Sequence, residues 1–171
     1  LLVTMFLAPL VEEPMKALIL LAIAKTRWFE NTTDGFVYGA AAGLGFAMTE
    51  NFLYLQSLAN QGLDEWLRVV LVRTACTGLM HAIATSVVGA ALGWARCRNR
   101  DIRMASFCVG LAAAILIHAT WNILIVLEIY VGGQAFLWDV TIFVMEFVFV
   151  SGIFLIGVER MQTFFLKLIC P

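Results

Sequence analysis

Hydrophobic residues occur along this chain in five long runs, and short polar connections separate the runs. A helix needs about 20 predominantly apolar residues to cross the hydrocarbon core of a bilayer, and each run is close to that length or longer. We therefore predict five membrane-spanning helices, over residues 1–24, 35–58, 66–95, 104–127 and 140–158.

The composition supports a membrane protein and excludes a nucleic-acid-binding one. Hydrophobic residues make up 62% of the chain and charged residues 13%, against roughly 25% charged residues in an ordinary soluble domain. The mean hydropathy is +0.92 and the net charge is -1, so no basic face exists for nucleic acid. We predict an all-α fold, a polytopic transmembrane helical bundle with at least five spans. Residues 1–171 are expected to form a single transmembrane domain of a longer polytopic protein.

The basic residues of the connections predict how the bundle is oriented in the membrane. The connection at residues 96–103 contains four arginines, whereas the connections at 59–65 and 128–139 contain acidic residues but no lysine or arginine. The remaining basic residues near span ends, all on the side of residues 96–103, are Lys25, Arg27, Arg160 and Lys167. Because cytoplasmic loops are enriched in lysine and arginine, we predict that residue 1 is outside and that residues 96–103 are cytoplasmic.

The second span begins with a face of small residues. Gly35, Gly39 and Gly43 form two consecutive G-x-x-x-G steps, a pattern that lets another helix backbone approach closely. Thr33 or Asp34 is expected to cap the start of this helix. The close approach would fix the position of any polar group that the helix carries.

Several ionisable residues lie within the predicted spans, where they are costly and therefore candidates for function. In the first span Glu12, Glu13 and Lys16 stand around Pro14. Lys16 can pair with either acid at helical spacing, and it is expected to lean toward Glu12, four residues away. Glu50 has no basic residue within one turn, so its partner must come from another helix or a metal. The third span contains a polar stripe at four-residue spacing, and the fourth span pairs a histidine with an asparagine: Arg73, Thr77, His81, Thr85, His118 and Asn122.

These side chains are predicted to share one layer of the membrane. Measured from the cytoplasmic end of each helix, the heights are roughly 17 Å for Glu12 and Glu13, roughly 22 Å for Glu50, and roughly 21 Å for His81 and His118. Asn122 lies one turn nearer the outside. Unrelated packing residues would not be expected to converge in this way.

Such a layer is suited to hydrolysis inside the membrane. A carboxylate can deprotonate a water molecule, and a histidine and an asparagine amide can donate to the developing oxyanion. Alternatively Glu50, His81 and His118 could bind zinc, with Glu12 or Glu13 as general base. Because no compact ligand motif is present, we rank hydrolysis without a metal slightly ahead of a zinc mechanism. There are two alternatives without catalysis. The charged residues of the first span could form a structural ion pair, or the protein could be a proton- or ion-coupled carrier.

The ordered motifs of this chain resemble those of the PrsW family of membrane proteases. They are Glu12-Glu13-x-x-Lys16, Asp34-Gly35 with Gly43-x-Gly45-Phe46-x-x-x-Glu50-Asn51, His81, and His118-x-x-x-Asn122. The family belongs to one superfamily with CAAX prenyl endopeptidases and bacteriocin-processing membrane proteases. CAAX-type members usually carry a histidine where this chain has Glu50, which favours PrsW.

The resemblance implies an enzyme of the bacterial or archaeal cytoplasmic membrane that cleaves membrane-tethered proteins, as in site-1 cleavage of an anti-sigma factor. It implies a catalytic set of Glu12, Glu13, Glu50, His81, His118 and Asn122, with Glu12 as the base by resemblance to the CAAX-type enzymes. The expected cofactor is none or zinc, and the expected partners are the protein substrate and the lipid bilayer. Processing of a lipidated C-terminus and a non-catalytic subunit or degenerate protease are the alternatives. Glu146, in the fifth predicted span, is assigned no role.

Overall fold

The computed structural model describes residues 1–60, 62–131 and 152, and every regular element among them is helical. A π-helical turn at Val3–Leu7 leads into α1. A second π-helical turn, Arg73–Thr77, joins α3 to α4. The described residues form five α-helices, which are α1 (Ala8–Ile23), α2 (Thr32–Ser57), α3 (Leu63–Val72), α4 (Gly78–Trp94) and α5 (Arg100–Val131). The predicted all-α class is therefore confirmed for the described residues.

The helices coincide with the first four predicted spans. Two of them, Val69–Trp94 and Arg100–Leu127, are long and apolar enough to cross a membrane. The helix of the first predicted span carries three charged residues within two turns, Glu12, Glu13 and Lys16. The fifth predicted span, 140–158, lies outside the described residues together with Glu146. The count of at least five spans therefore stays a prediction.

Helix α4 lies at the centre of the bundle, with α2 along one side and α5 along another, and α1 contacts all three. The core between these helices contains Leu20, Met80, Val88 and Trp121 together with small residues such as Ala84. Large apolar side chains also cover much of the outer surface of the bundle, including Leu18, Met48, Val109 and Leu116, each at least 65% exposed. A large exposed apolar surface is the arrangement expected of a protein surrounded by lipid.

The predicted small-residue face brings α2 against the backbone of α4. A Cβ atom added at Gly39 would overlap the backbone of Thr85 and Ser86, and one added at Gly43 would overlap the carbonyl group of His81. The close approach predicted from the G-x-x-x-G steps is therefore present. It has a direct consequence for the polar residues, because it holds the backbone of His81 against the helix that carries Glu50.

The start of α2 is capped by a residue that the sequence did not single out. The side chain of Asn31 accepts a hydrogen bond from the Asp34 N–H at 3.0 Å, and Asp34 Oδ2 accepts one from the Glu30 N–H at 2.8 Å. The expectation that Thr33 or Asp34 caps the helix was therefore wrong. Asp34 takes part from within the first turn, because its side chain accepts from the N–H of the residue before the N-cap.

The close packing of α2 on α4 predicts different effects for two neighbouring glycines. Gly43→Ala should lower the free energy of unfolding by about 1–3 kcal/mol, because the added methyl group cannot be accommodated without moving the two backbones apart. Gly45→Ala is the matched control, because no atom lies within 4 Å of the position that its Cβ would take. Thermal unfolding of both variants in detergent checks this, and equal midpoints would contradict the packing.

The basic connections lie at the same end of the bundle. Arg96 donates from Nη1 to the carbonyl oxygen of Ala24 at 2.7 Å and from Nη2 to that of Thr26 at 3.4 Å. The two connections that the charge pattern assigns to one side of the membrane are thus joined. Which side of the membrane this is stays a prediction.

Cysteine labelling tests the predicted sidedness. Cys97 lies exposed in the basic connection, whereas Ala59 is exposed in the connection at the opposite end of α2. In intact cells, a membrane-impermeant thiol reagent should label Ala59→Cys placed in a cysteine-free background. The same reagent should not label a protein whose single cysteine is Cys97. The reverse pattern would invert the orientation.

Candidate active site

Glu13 on α1 is the most deeply buried acid of the layer. Its side chain is fully buried, and its Oε1 atom accepts hydrogen bonds from Lys16 Nζ at 2.6 Å and from His118 Nδ1 at 2.8 Å. A charge in an apolar interior is tolerated only when it is paired and hydrogen-bonded, and both conditions are met here. Glu13 therefore links α1 to α5.

The hydrogen bond with Glu13 determines which nitrogen of the His118 ring has a free lone pair. A carboxylate only accepts hydrogen bonds, so His118 Nδ1 carries the proton and Nε2 keeps its lone pair. That Nε2 atom lies 3.9 Å from Oε2 of Glu12. Among the described residues, Glu12 Oε2 has no hydrogen-bond partner, although it is buried. The result is a short gap between a carboxylate oxygen and an unprotonated ring nitrogen.

Lys16 extends from α1 into the same cluster and contacts α4. Its Nζ atom lies 2.8 Å from His81 Nδ1, 3.9 Å from Glu12 Oε2 and 4.3 Å from the centre of the Phe46 ring. An ammonium group only donates, so His81 Nδ1 accepts and its proton resides on Nε2. The two histidines therefore carry their protons on opposite ring nitrogens.

Glu50 on α2 is held from α4 and from the π-helical turn before it. Its Oε2 atom accepts from His81 Nε2 at 2.9 Å, and its Oε1 atom lies 2.9 Å from Nη2 of Arg73. The expectation that the partner of Glu50 comes from another helix is met. Because both oxygens of Glu50 are engaged, this residue is less suited than Glu12 to bind a further ligand.

In the part of the chain that the structure describes, the cluster holds one more carboxylate than cationic side chains. The carboxylates of Glu12, Glu13 and Glu50 face the cations of Lys16 and Arg73. The two histidine rings pack edge to face with centroids 4.7 Å apart. A proton or a metal cation would balance the remaining negative charge.

The structure brings five of the six predicted site residues into this cluster: Glu12, Glu13, Glu50, His81 and His118. Asn122 lies one turn farther along α5, and its Nδ2 atom donates to the carbonyl oxygen of Thr4 at 2.9 Å. Lys16 was expected to lean toward Glu12, but its shorter contact is with Glu13 because these two buried side chains share the inner face of α1.

Sequence reasoning missed two contacts of this cluster. One is the hydrogen bond between Lys16 and His81, because helical spacing predicts partners within α1 only. The other is the ion pair between Arg73 and Glu50. The four-residue spacing of Arg73 and Thr77 ahead of His81 was the available signal for the second contact.

One set of residues fits a metal ion. Ligand atoms of Glu12, His81 and His118 lie within 4.8 Å of one another, whereas the sequence pointed to Glu50, His81 and His118. Two ligands of one tetrahedral zinc ion lie about 3.4 Å apart, because each bond is about 2.0–2.2 Å long. The 3.9 Å between Glu12 Oε2 and His118 Nε2 is slightly longer than this, so the two side chains would move toward each other around a bound ion. One carboxylate with two imidazoles is also a ligand set used by catalytic zinc sites.

Comparison with known proteins relates the chain to one family. The profile described as "PrsW family intramembrane metalloprotease" matches residues 1–153. "Protease PrsW" from Bacillus subtilis (strain 168) is 30% identical over 115 residues, which cover 67% of this chain and 50% of that protein. "Protease PrsW" from Clostridioides difficile (strain 630) is 28% identical over 128 residues, 74% of this chain and 52% of that protein. The chain thus spans about half the length of these relatives, and no solved structure matches it.

Proposed function

Because the chain belongs to the PrsW family of intramembrane metalloproteases, we propose that the protein hydrolyses a peptide bond of a membrane-tethered protein. The observation that carries this proposal is the gap between Glu12 Oε2 and His118 Nε2, whose atoms are 3.9 Å apart. A water molecule can contact both atoms at ordinary hydrogen-bond distances, because two such bonds of about 2.8 Å span separations up to about 5.6 Å. We place the attacking water there.

Glu12 is the residue that we assign to the proton transfer. Its Oε2 atom takes a proton from the water as the water oxygen bonds to the carbonyl carbon of the substrate. The same atom then gives that proton to the departing amine when the carbon–nitrogen bond breaks. Glu12 is suited to this exchange because its Oε2 atom has no competing hydrogen-bond partner among the described residues.

The other residues orient the groups that react. Glu13 holds the His118 ring so that Nε2 faces Glu12, and Glu50 holds the His81 ring from the other side of the cluster. The second hydrogen of the Asn122 amide, which Thr4 does not use, is assigned to the oxyanion of the substrate. Donors fixed in advance stabilise developing charge more effectively than water does.

The family description implies a metal, and the residues present fit one. Glu12, His81 and His118 would hold it, and to do so His81 Nδ1 must release Lys16. When bound, a divalent metal supplies Lewis acidity, which polarises a carbonyl group and acidifies water.

We assign the protein to a bacterial cytoplasmic membrane, with an anti-sigma-factor-like protein as the substrate class and residues 96–103 in the cytoplasm. The motif resemblance and the two bacterial relatives support this assignment. A single-span protein fits the site because the cluster lies among helices whose outer faces are apolar.

The proposal is tested by incubating the full-length protein in lipid vesicles with single-span substrates, including an anti-sigma factor from the same cell. New N-termini are then identified by mass spectrometry. Cleavage by the wild type and not by Glu12→Gln is the expected result. If no substrate is cleaved although the substrates bind, the non-catalytic reading replaces the protease reading.

A further inference from the structure

We propose that Arg73 is a positioning residue that fixes the His81 ring by way of Glu50. The contacts form one line of three residues: an ion pair joins Arg73 Nη2 to Glu50 Oε1 at 2.9 Å without hydrogen-bond geometry, and a hydrogen bond joins His81 Nε2 to Glu50 Oε2 at 2.9 Å. The catalytic consequence of this line rests on the proposed function, whereas its effect on the histidine ring does not. The motif resemblance assigns no role to Arg73.

The guanidinium group of Arg73 is itself held on several sides. Its Nε atom donates to Asn51 Oδ1 at 2.9 Å, and Asn51 Nδ2 donates back to the Arg73 carbonyl oxygen at 3.4 Å. The ring of Tyr54 lies against the guanidinium plane, with its centre 3.7 Å from Cζ. A planar group with several donors is well fixed by such a set, which a lysine could not reproduce.

The backbone at Arg73 brings the side chain to the correct face of the helix. In a regular α-helix two residues eight positions apart differ by about 80° in direction, which would turn Arg73 away from His81. Arg73 begins the π-helical turn Arg73–Thr77, which winds less per residue than an α-helix and so reduces that difference. Both side chains consequently reach one carboxylate, that of Glu50.

Holding Glu50 has a defined effect on His81. With Oε1 fixed by Arg73, Oε2 stays at His81 Nε2 and retains the proton on that nitrogen. The lone pair of His81 Nδ1 then faces the cluster, where Lys16 now contacts it. A carboxylate bonded to the far nitrogen of a ring is how proteins orient histidines that act as ligands or catalysts.

The direct test reads the histidine ring and requires neither a metal nor a substrate. Nitrogen-15 spectra of histidine-labelled protein in bilayers should show His81 with Nε2 protonated and Nδ1 unprotonated. Arg73→Gln should replace this signal by a mixture of ring states. Arg73→Lys should restore it only in part, because lysine keeps the charge but loses the contact with Asn51. Arg103→Gln, an exposed arginine near the start of α5, is the matched control and should leave the spectrum unchanged.

Cleavage rates test whether Arg73 acts through Glu50. Arg73→Gln alone should slow cleavage by about 10–100-fold, as is usual when the partner of an oriented histidine is lost. In a Glu50→Gln background, Arg73→Gln should slow cleavage by less than about twofold. The effects of the two substitutions do not add, because Arg73 acts through Glu50. Equal losses in both backgrounds would overturn the proposal.

A second variant covers the case in which Arg73→Gln does not fold. Tyr54→Leu keeps the charge of Arg73 but removes the aromatic ring that lies against it. This variant should show the same mixture of His81 ring states as Arg73→Gln, in a smaller proportion. A His81 spectrum unchanged in a folded Arg73 or Tyr54 variant would overturn the positioning role, whether or not the protein cleaves. Altered spectra together with an inactive wild type would overturn the proposed function and leave the positioning role standing.

Discussion

Glu12→Gln is expected to abolish cleavage while leaving the protein folded. The amide cannot take a proton from water, and loss of a general base typically costs about 10²–10⁴ in rate. The charged contacts of Glu12 with the described residues are long, at 3.9 Å to Lys16 and 3.9 Å to His118, so its replacement removes little from the packed structure. Cleavage rate and thermal unfolding, both measured in lipid vesicles, check the two halves of this expectation.

Glu13→Gln is expected to lose more stability than Glu12→Gln. The carboxylate of Glu13 is fully buried and compensates Lys16 at 2.6 Å, so the change leaves a buried ammonium group with a neutral partner. Breaking a buried ion pair by removing one member costs about 3–5 kcal/mol. The lost orientation of His118 should add a fall in rate.

Glu30→Gln is the matched control for both changes, because Glu30 is an exposed glutamate before α2 and lies outside the cluster. It should affect neither rate nor stability. If Glu12→Gln cleaves at nearly the wild-type rate, the assignment of the base is wrong. If Glu12→Gln unfolds as readily as Glu13→Gln, the unequal roles of the two acids are wrong.

Helical periodicity and hydropathy predicted where the helices lie in the chain and how far along each helix the polar residues are. The helices around Glu50, His81 and His118 were placed correctly, and heights along the helices indicated that these residues converge. The close contact of α2 with α4 also followed from the sequence, because Gly39 and Gly43 can serve such a contact by spacing alone.

The contacts within the cluster could not be predicted in the same way. Height along a helix does not give its rotation, so nothing in the sequence indicated that Lys16 meets His81 or that both oxygens of Glu50 are engaged. The π-helical turn at Arg73 shifts the rotation of the preceding residues, and regular helical spacing does not contain that shift. The preferred metal ligand therefore changed from Glu50 to Glu12 once rotation was known.

Any metal that co-purifies with the active protein is expected to depend on Glu12, His81 and His118. Glu12→Gln and His118→Ala should each lose stoichiometric metal, because each removes an atom of the only three-residue ligand set found among the described residues. Glu50→Gln should still bind the metal, with the affinity lowered about 10–100-fold. Glu50 is not one of the proposed ligands but accepts a hydrogen bond from His81 Nε2 and so orients that ring. Elemental analysis and competition with a chelating indicator measure both quantities.

The metal content of Glu50→Gln distinguishes the two ligand sets. Complete loss of metal in Glu50→Gln, with retention in Glu12→Gln, would restore the set that the sequence favoured. An active wild type without stoichiometric metal would instead support hydrolysis by Glu12-activated water alone, the mechanism that the sequence ranked slightly ahead.

The cleavage rate of Glu13→Gln, measured at a low temperature at which the variant is folded, tests which glutamate is the base if the enzyme depends on a metal. If Glu12 binds a metal, it is no longer free as the base, and Glu13 Oε2 is the other buried carboxylate oxygen of the described cluster without a hydrogen-bond partner. A folded Glu13→Gln variant that keeps its metal should then cleave about 10²–10⁴ times more slowly than the wild type. If Glu12 is the base, Glu13 only orients His118, and folded Glu13→Gln should keep about 1–10% of the wild-type rate. The residual rate of that variant, read together with its metal content, therefore assigns the proton acceptor.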